Sequence, residues 1–330
     1  MAHRSEPAAF DFVALYAGAR LVATGRGGLV TDATALLEVE RDTLPARTVL
    51  LNNPNVPALS GLLAPIGALP YDVAFVVMLT LSTVALVAAT LLMAPLARVE
   101  QRGRLLIFAI LAPPSLIALL QGQTTPLVLL GVAASLRTTG LTSGLLLGAV
   151  AFRPQLLPLL ALATLRDRSR ALGLLIACAS VALASLLVAG PEGLARYPER
   201  LAYAAAEVGR NEISLPGLAR RLGVDASSAL AATAALTAVA GLVLVRAHRP
   251  VAQGAVASLL VAPHALLHDV LFAYPAIARA ATSTPVTWAW GVAASAATVA
   301  QLLGAPAMQL VLGLLLLVAL RVRSGAGEAA

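Results

Sequence analysis

From Leu50 onward the chain is a succession of apolar runs separated by short polar connections, while the forty residues before it are mixed in character. Segment 10–21 sets Asp11 between Phe10 and Phe12 and then continues as a short amphipathic helix pattern, which Gly25 and the Gly27-Gly28 pair stop. Asp32, Glu38, Glu40 and Asp42 follow, so this region is polar and acidic. Residues 48–57 read as a Pro-punctuated loop. The apolar patch 59–69 is shorter than the roughly 20 residues that a membrane span needs, and is expected to form an interfacial or re-entrant helix. Spans are then expected at 71–97, 105–120, 124–136, 140–152, 155–165, 171–189, 226–246, 251–265, 267–281, 286–302 and 305–321. The predicted fold is therefore all-α, a polytopic integral membrane protein with about eleven transmembrane helices. Residues 1–70 form a loop with juxtamembrane helices, and 71–330 form the membrane domain.

Composition strengthens this reading. Of 330 residues 59% are hydrophobic and 12% charged, against about one half and one quarter in soluble domains. One water-soluble core cannot bury that excess. The net charge of +7 would point to nucleic acid in a soluble protein; here the arginines sit between apolar runs, where they set topology, and no nucleic-acid partner is expected. Every basic residue is Arg, which with the abundance of Ala, Leu and Gly reads as a GC-rich bacterial coding bias. The single Cys178 lies in an apolar run and excludes a disulfide framework or a cysteine-based metal site.

The arginines also orient the chain. One set of connections holds Arg98, Arg102 and Arg104; Arg137; Arg166, Arg168 and Arg170; Arg246 and Arg249; Arg279; and Arg321 and Arg323. The alternate short connections hold only Arg153. Positively charged short loops stay cytoplasmic, so the first set is expected inside and the second outside. This alternation requires 140–165 to be two short segments and not one kinked helix. Connection 190–225 mixes Arg and Glu and reads as an outer helical loop. Residues 1–70 are then outside with no span ahead of them, so an initial helix is expected to be missing from the start of the sequence.

Several short motifs recur in one order: Asp11-Phe12 followed by Tyr16-Ala17-Gly18-Ala19-Arg20; Asn53-Pro54-Asn55-Val56-Pro57-Ala58-Leu59, leading to Ala64-Pro65-Ile66-Gly67-Ala68-Leu69-Pro70-Tyr71; Gln121-Gly122-Gln123; Gly144-Leu145-Leu146-Leu147-Gly148, leading to Phe152-Arg153-Pro154-Gln155; and Ala262-Pro263-His264 with Asp269 beyond. In these the chain resembles the polyprenyl-phosphate-dependent transferases of glycosyltransferase family 87, which include bacterial mannosyltransferases of GT-C architecture. Members usually begin with a membrane helix just before the Asp-Phe pair. A lysine is usual where Arg153 stands, and a tyrosine is common where His268 stands. The resemblance implies a multi-pass protein of the bacterial cell membrane, with its active site on the outer face. It implies transfer of a sugar, mannose or another hexose, from a polyprenyl-phosphate donor to a hydroxyl of a glycolipid or envelope glycan, with no separate cofactor.

Such a reaction needs a base near the acceptor hydroxyl and a cationic grip on the departing phosphate. The resemblance makes Asp11 the general base, a role favoured by a partly apolar site; from its position alone, Asp11 reads first as a helix N-cap. Arg153 offers a permanently charged fork for a phosphate diester, or is an interfacial arginine reaching the headgroups. Gln121 and Gln123 would bond sugar hydroxyls or cap orphan carbonyls, and Gln155 belongs to the same substrate-binding set. His264 and Asp269 are ionisable residues in an apolar setting, which is expensive and biased toward function. With His268 they invite a metal reading, but the spacing covers little more than one face, and no metal is expected. All are expected at the outer rim. A transporter or lipid-carrier flippase is the competing class; it should show internal repeats between its halves, and none is found.

Overall fold

The computed structural model describes residues 10–44, 50–51, 55–207, 214–221, 223–246, 250–262 and 265–280. Among these every regular element is helical, as expected, and there is no strand. The N-terminal part comprises α1 (Phe10–Ala23), α2 (Ala33–Thr43), α3 (Pro57–Leu62) and α4 (Ala64–Gly67). α5 (Tyr71–Met93) is followed by α6 (Arg102–Leu111), α7 (Pro113–Leu120), α8 (Thr125–Ser135), α9 (Gly140–Leu147) and α10 (Leu157–Leu162). The long α11 (Arg168–Glu207) precedes α12 (Leu215–Arg221), α13 (Ala226–Arg246), α14 (Pro250–Val261), a 3-10 segment (Leu267–Ala273) and α15 (Tyr274–Ala280).

Two described helices are long and apolar enough to cross a membrane, Tyr71–Leu96 and Arg168–Leu201. The pair Val99–Leu111 and Pro113–Leu120, bent by 42°, makes a third, broken span or a re-entrant loop. About eleven full spans is therefore not what the described residues form. α8 has 11 residues, a length of about 16 Å against an apolar core of about 30 Å. The apolar runs are present, but several form helices shorter than a full span. Segment 140–165 does break in two, with a 3-10 turn (Gly148–Phe152) ending at Arg153. The span expected at 267–281 is a 3-10 segment and a short helix. Those expected at 286–302 and 305–321 lie outside the described residues.

The bend in the α6–α7 pair has a local cause. Pro113 has no N–H to give the Ala109 carbonyl four residues back. The Ser115 hydroxyl donates to that carbonyl instead. Ser115 thereby spends its proton, so the Tyr274 hydroxyl, 2.8 Å away, donates to Ser115. α9 and α11 meet through small residues: a Cβ on Gly144 would collide with the Arg170 carbonyl, and one on Gly173 with that of Leu141. Close backbone approach through glycine is how helices associate in lipid, where apolar burial gives little driving force. Leu172, Leu175, Ile176, Leu183 and Leu187 of α11 stay exposed, as a lipid-facing surface would.

The N-terminal part closes one end of this bundle. α1 was expected to be amphipathic; instead it is buried on every side, with Phe12, Val13, Ala14, Leu15, Tyr16, Ala17, Ala19 and Leu21 all in the core. It runs between α3, α4 and the first half of α5, and its small residues let those elements approach. The Tyr16 hydroxyl donates to the Leu69 carbonyl (2.9 Å) and Arg20 to that of Gly67 (3.2 Å), which fixes the corner into α5. Patch 59–69 is thus two short helices packed on α1. On the other side, Thr31 donates to the Gly193 carbonyl (2.9 Å), the Ala58 N–H donates to Ser185 (3.1 Å), and Asp32 pairs with Arg196 (3.2 Å). These contacts bracket Gly190 (φ 66), where α11 kinks.

Candidate active site

Four polar side chains, far apart in sequence, join into one chain inside the bundle. Asp11 stands in the first turn of α1. Its Oδ2 accepts a hydrogen bond from Gln123 Nε2 (2.8 Å). Gln123 Oε1 accepts from Arg153 Nη2 (2.9 Å), which also donates to Thr125 Oγ1 (2.9 Å). Arg153 Nη1 lies 3.5 Å from Asp269 Oδ1. The other oxygen of Asp269 accepts the Leu266 N–H (3.0 Å), and His268 Nε2 stands 3.6 Å from Oδ1.

Each member is placed by local chemistry. Gly122 has φ 61, and a Cβ there would sit 2.8 Å from Phe12 Cβ. Only glycine meets both demands cheaply, so the Gln121-Gly122-Gln123 turn presses onto α1 one residue from Asp11. The Ser82 hydroxyl then donates to the Gln123 carbonyl (3.1 Å) and pins the turn to α5. Arg153 is the residue at which the 3-10 turn after α9 ends, with Pro154 preventing continuation. Ser258 of α14 donates to the Leu156 carbonyl (2.9 Å), holding this break against the element that precedes Asp269.

Burial falls steeply along the chain of groups. Asp11 is half-buried, Gln123 is 7% exposed, Arg153 5% and Asp269 0%. Arg153 is therefore not an interfacial arginine reaching for headgroups; its charge is held inside and faces a carboxylate. Ser82, which touches the site, is midway along α5. The network lies at the depth of the middle of that helix, and α1 leads from it toward the end where α5 begins. Around Asp11 the walls are apolar and aromatic. Phe12 packs against Tyr16, Tyr71 and Phe75, with ring centroids 5.5–6.1 Å apart, and Leu59, Leu63 and Met78 complete the cluster.

The other expected residues divide. Gln155 is two residues beyond Arg153, and its Nε2 is buried without a hydrogen-bond partner. Gln121 is in the same turn as Gln123 but is not bonded into the network. His264 lies outside the described residues. Asp32, an alternative acid, caps α2 through the Ala35 N–H (2.9 Å) and pairs with Arg196, so its carboxylate is occupied structurally. Sequence reasoning missed three participants: Thr125 as a partner of Arg153, Thr124 with a buried unpartnered Oγ1, and Ser82. The signal available for the threonines was a hydroxyl pair directly after Gln123, at the start of an apolar helix. Among the described residues no group of three His, Cys, Asp or Glu side chains is arranged to hold a metal.

An all-helical membrane protein with a buried acid–amide–guanidinium–acid chain reached through a half-exposed aspartate has the makings of a membrane-embedded transferase. Residues 56–268 match glycosyltransferase family 87. That match spans more than half of the chain, and the protein belongs to this family. No curated protein and no solved structure matches it. Family membership makes it a glycosyltransferase and sets aside the transporter reading.

Proposed function

We propose that the protein transfers a sugar, mannose or another hexose, from a polyprenyl-phosphate carrier to a hydroxyl of a glycolipid or cell-envelope glycan. The site opens toward the outer face of a bacterial membrane, residues 71–330 form the multi-pass, GT-C-like domain, and residues 1–70 close it. The observation that carries this reading is the Asp11–Gln123–Arg153 chain, a candidate base and a fixed cation joined by a single amide. The acceptor O–H is attacked by the Asp11 carboxylate, which takes the proton as the oxygen bonds to the anomeric carbon. The bond from that carbon to the phosphate oxygen breaks, and the electron pair leaves on polyprenyl phosphate. Arg153 stands where that charge grows. Its Nε, Gln155 Nε2 and Thr124 Oγ1 are buried polar atoms with no protein partner, and such atoms are costly unless something satisfies them. Phosphate and sugar oxygens are the fitting partners. No cofactor is part of the scheme.

The test is transfer of labelled mannose from polyprenyl-phosphate mannose by purified protein. Asp11→Asn keeps size and most hydrogen-bonding capacity, so it should purify normally. Loss of general-base help should slow transfer by about 10² to 10⁴. Near-native transfer by this variant would remove Asp11 from the chemistry.

A further inference from the structure

Gln123 is the one polar side chain that touches both Asp11 and Arg153 among the described hydrogen bonds. Its orientation is dictated by chemistry. A guanidinium has donors and no acceptor, so the oxygen of the amide must face Arg153. The NH₂ group must then face Asp11, and it requires an acceptor there. Turning the amide around would set two donors against each other at one end and two acceptors at the other. We propose that Gln123 is a positioning residue for the reaction, an amide strut that holds the Asp11 carboxyl group by its Oδ2 and fixes its distance from Arg153.

This inference rests on the reading of Asp11 as base and adds a residue that acts through it. The strut is braced independently of its side chain. Ser82 holds its carbonyl, Gly122 seats the turn on Phe12, and α8 begins two residues later. The backbone of Gln123 is thus set by the fold, and its amide is left to do the coupling. The charged or titratable groups around Asp11 are Arg153 through the amide, Asp269 and His268 beyond it, and Tyr16 and Tyr71 on the aromatic side. Arg153 is linked to the Asp11 carboxyl group through Gln123.

Two substitutions separate coupling from packing. Gln123→Met keeps length and removes both polar ends. Gln123→Glu keeps an acceptor for Arg153 but has no N–H for Asp11, which it can meet only by sharing a proton. With polyprenyl-phosphate mannose as the probe, both variants should lower kcat at least tenfold. Gln123→Glu should leave the KM for the donor within about threefold, because the contact with Arg153 survives. Adding Gln123→Met to Asp11→Asn should cost nothing further, since the strut has no carboxylate left to hold. A wild-type kcat in Gln123→Met, or losses that multiply in the double variant, would overturn the proposal. Infrared spectroscopy supplies a readout without turnover. In Gln123→Glu two carboxylates face each other and share a proton, so the difference spectrum against wild type should show an added carboxylic-acid carbonyl band, which Asp11→Asn abolishes. Its absence would overturn the strut even if the chosen donor were inert. Full transfer by Asp11→Asn, with the band present, would remove the base and leave the strut.

Discussion

Removing the guanidinium of Arg153 should unfold this protein more readily than any loss at its surface. In Arg153→Met, Asp269 keeps the Leu266 N–H but loses the cation 3.5 Å from its Oδ1, and it has no exposed surface on which to find water. At that separation, with an effective dielectric constant of about 20, the gross attraction is about 4–5 kcal/mol. Desolvation of both groups offsets much of this in the intact pair. The variant leaves the desolvated carboxylate and removes the attraction, for a loss of about 3–5 kcal/mol. Asp269→Asn should cost less, because Arg153 retains Gln123 and Thr125 as acceptors. The double variant Arg153→Met/Asp269→Asn removes both charges, so its loss should fall short of the sum of the single losses by roughly 2–3 kcal/mol. Reversible unfolding of the four proteins in mixed micelles measures the cycle. If Arg153→Met lay within about 0.5 kcal/mol of wild type, a typical surface effect, the pair would not exist as drawn. Strict additivity would refute the coupling.

Other outcomes follow from the same contacts. Gly122→Ala imposes a left-handed conformation on alanine and a Cβ 2.8 Å from Phe12 Cβ. It should destabilise by about 2–4 kcal/mol and reduce transfer by drawing Gln123 off Asp11, as unfolding and turnover measured on one preparation would report. Ser115→Ala strips the Ala109 carbonyl and the Tyr274 hydroxyl of a buried partner and should cost about 1–3 kcal/mol; Tyr274→Phe in the same background should restore part of that loss. For the proposed topology, single cysteines at the exposed positions Thr34 and Ser169, in a Cys178→Ser background, should react with an impermeant reagent from opposite sides of sealed vesicles. Same-side labelling would overturn the placement of residues 1–70 outside.

What could be read in advance follows the cost of placing each residue in lipid. Asp269 stood out because an ionisable group in an apolar setting needs a reason to be there, and Asp11 and Arg153 stood out through the motifs they share with the family; the structure joins all three. Glutamine carries no such penalty, so Gln121 and Gln123 looked alike. The positive φ of Gly122 and the hydroxyl of Ser82 decide between them, and neither is visible in a pattern of polar and apolar letters. Tyr16 and Arg20 illustrate the converse. They sit in a motif with Asp11, but their side chains hold the Gly67–Leu69 corner, so they serve the fold that presents the base. Hydropathy measures the length of an apolar run and says nothing of the depth at which it turns. An 11-residue helix such as α8, ending at Arg137 on one side and at the Gln123 turn on the other, reads as a short span. In three dimensions it is a short helix that delivers Gln123 and Thr125 to the middle of α5. The arginines in the connections say on which side a segment ends, and their silence at Gln121–Thr125 was read as an outer loop. A connection buried halfway along a neighbouring helix needs no arginine either, because it meets no headgroups. The same blank in the charge pattern thus fits a rim and an interior, and the contact from Ser82 to Gln123 is what sets this turn against the middle of α5.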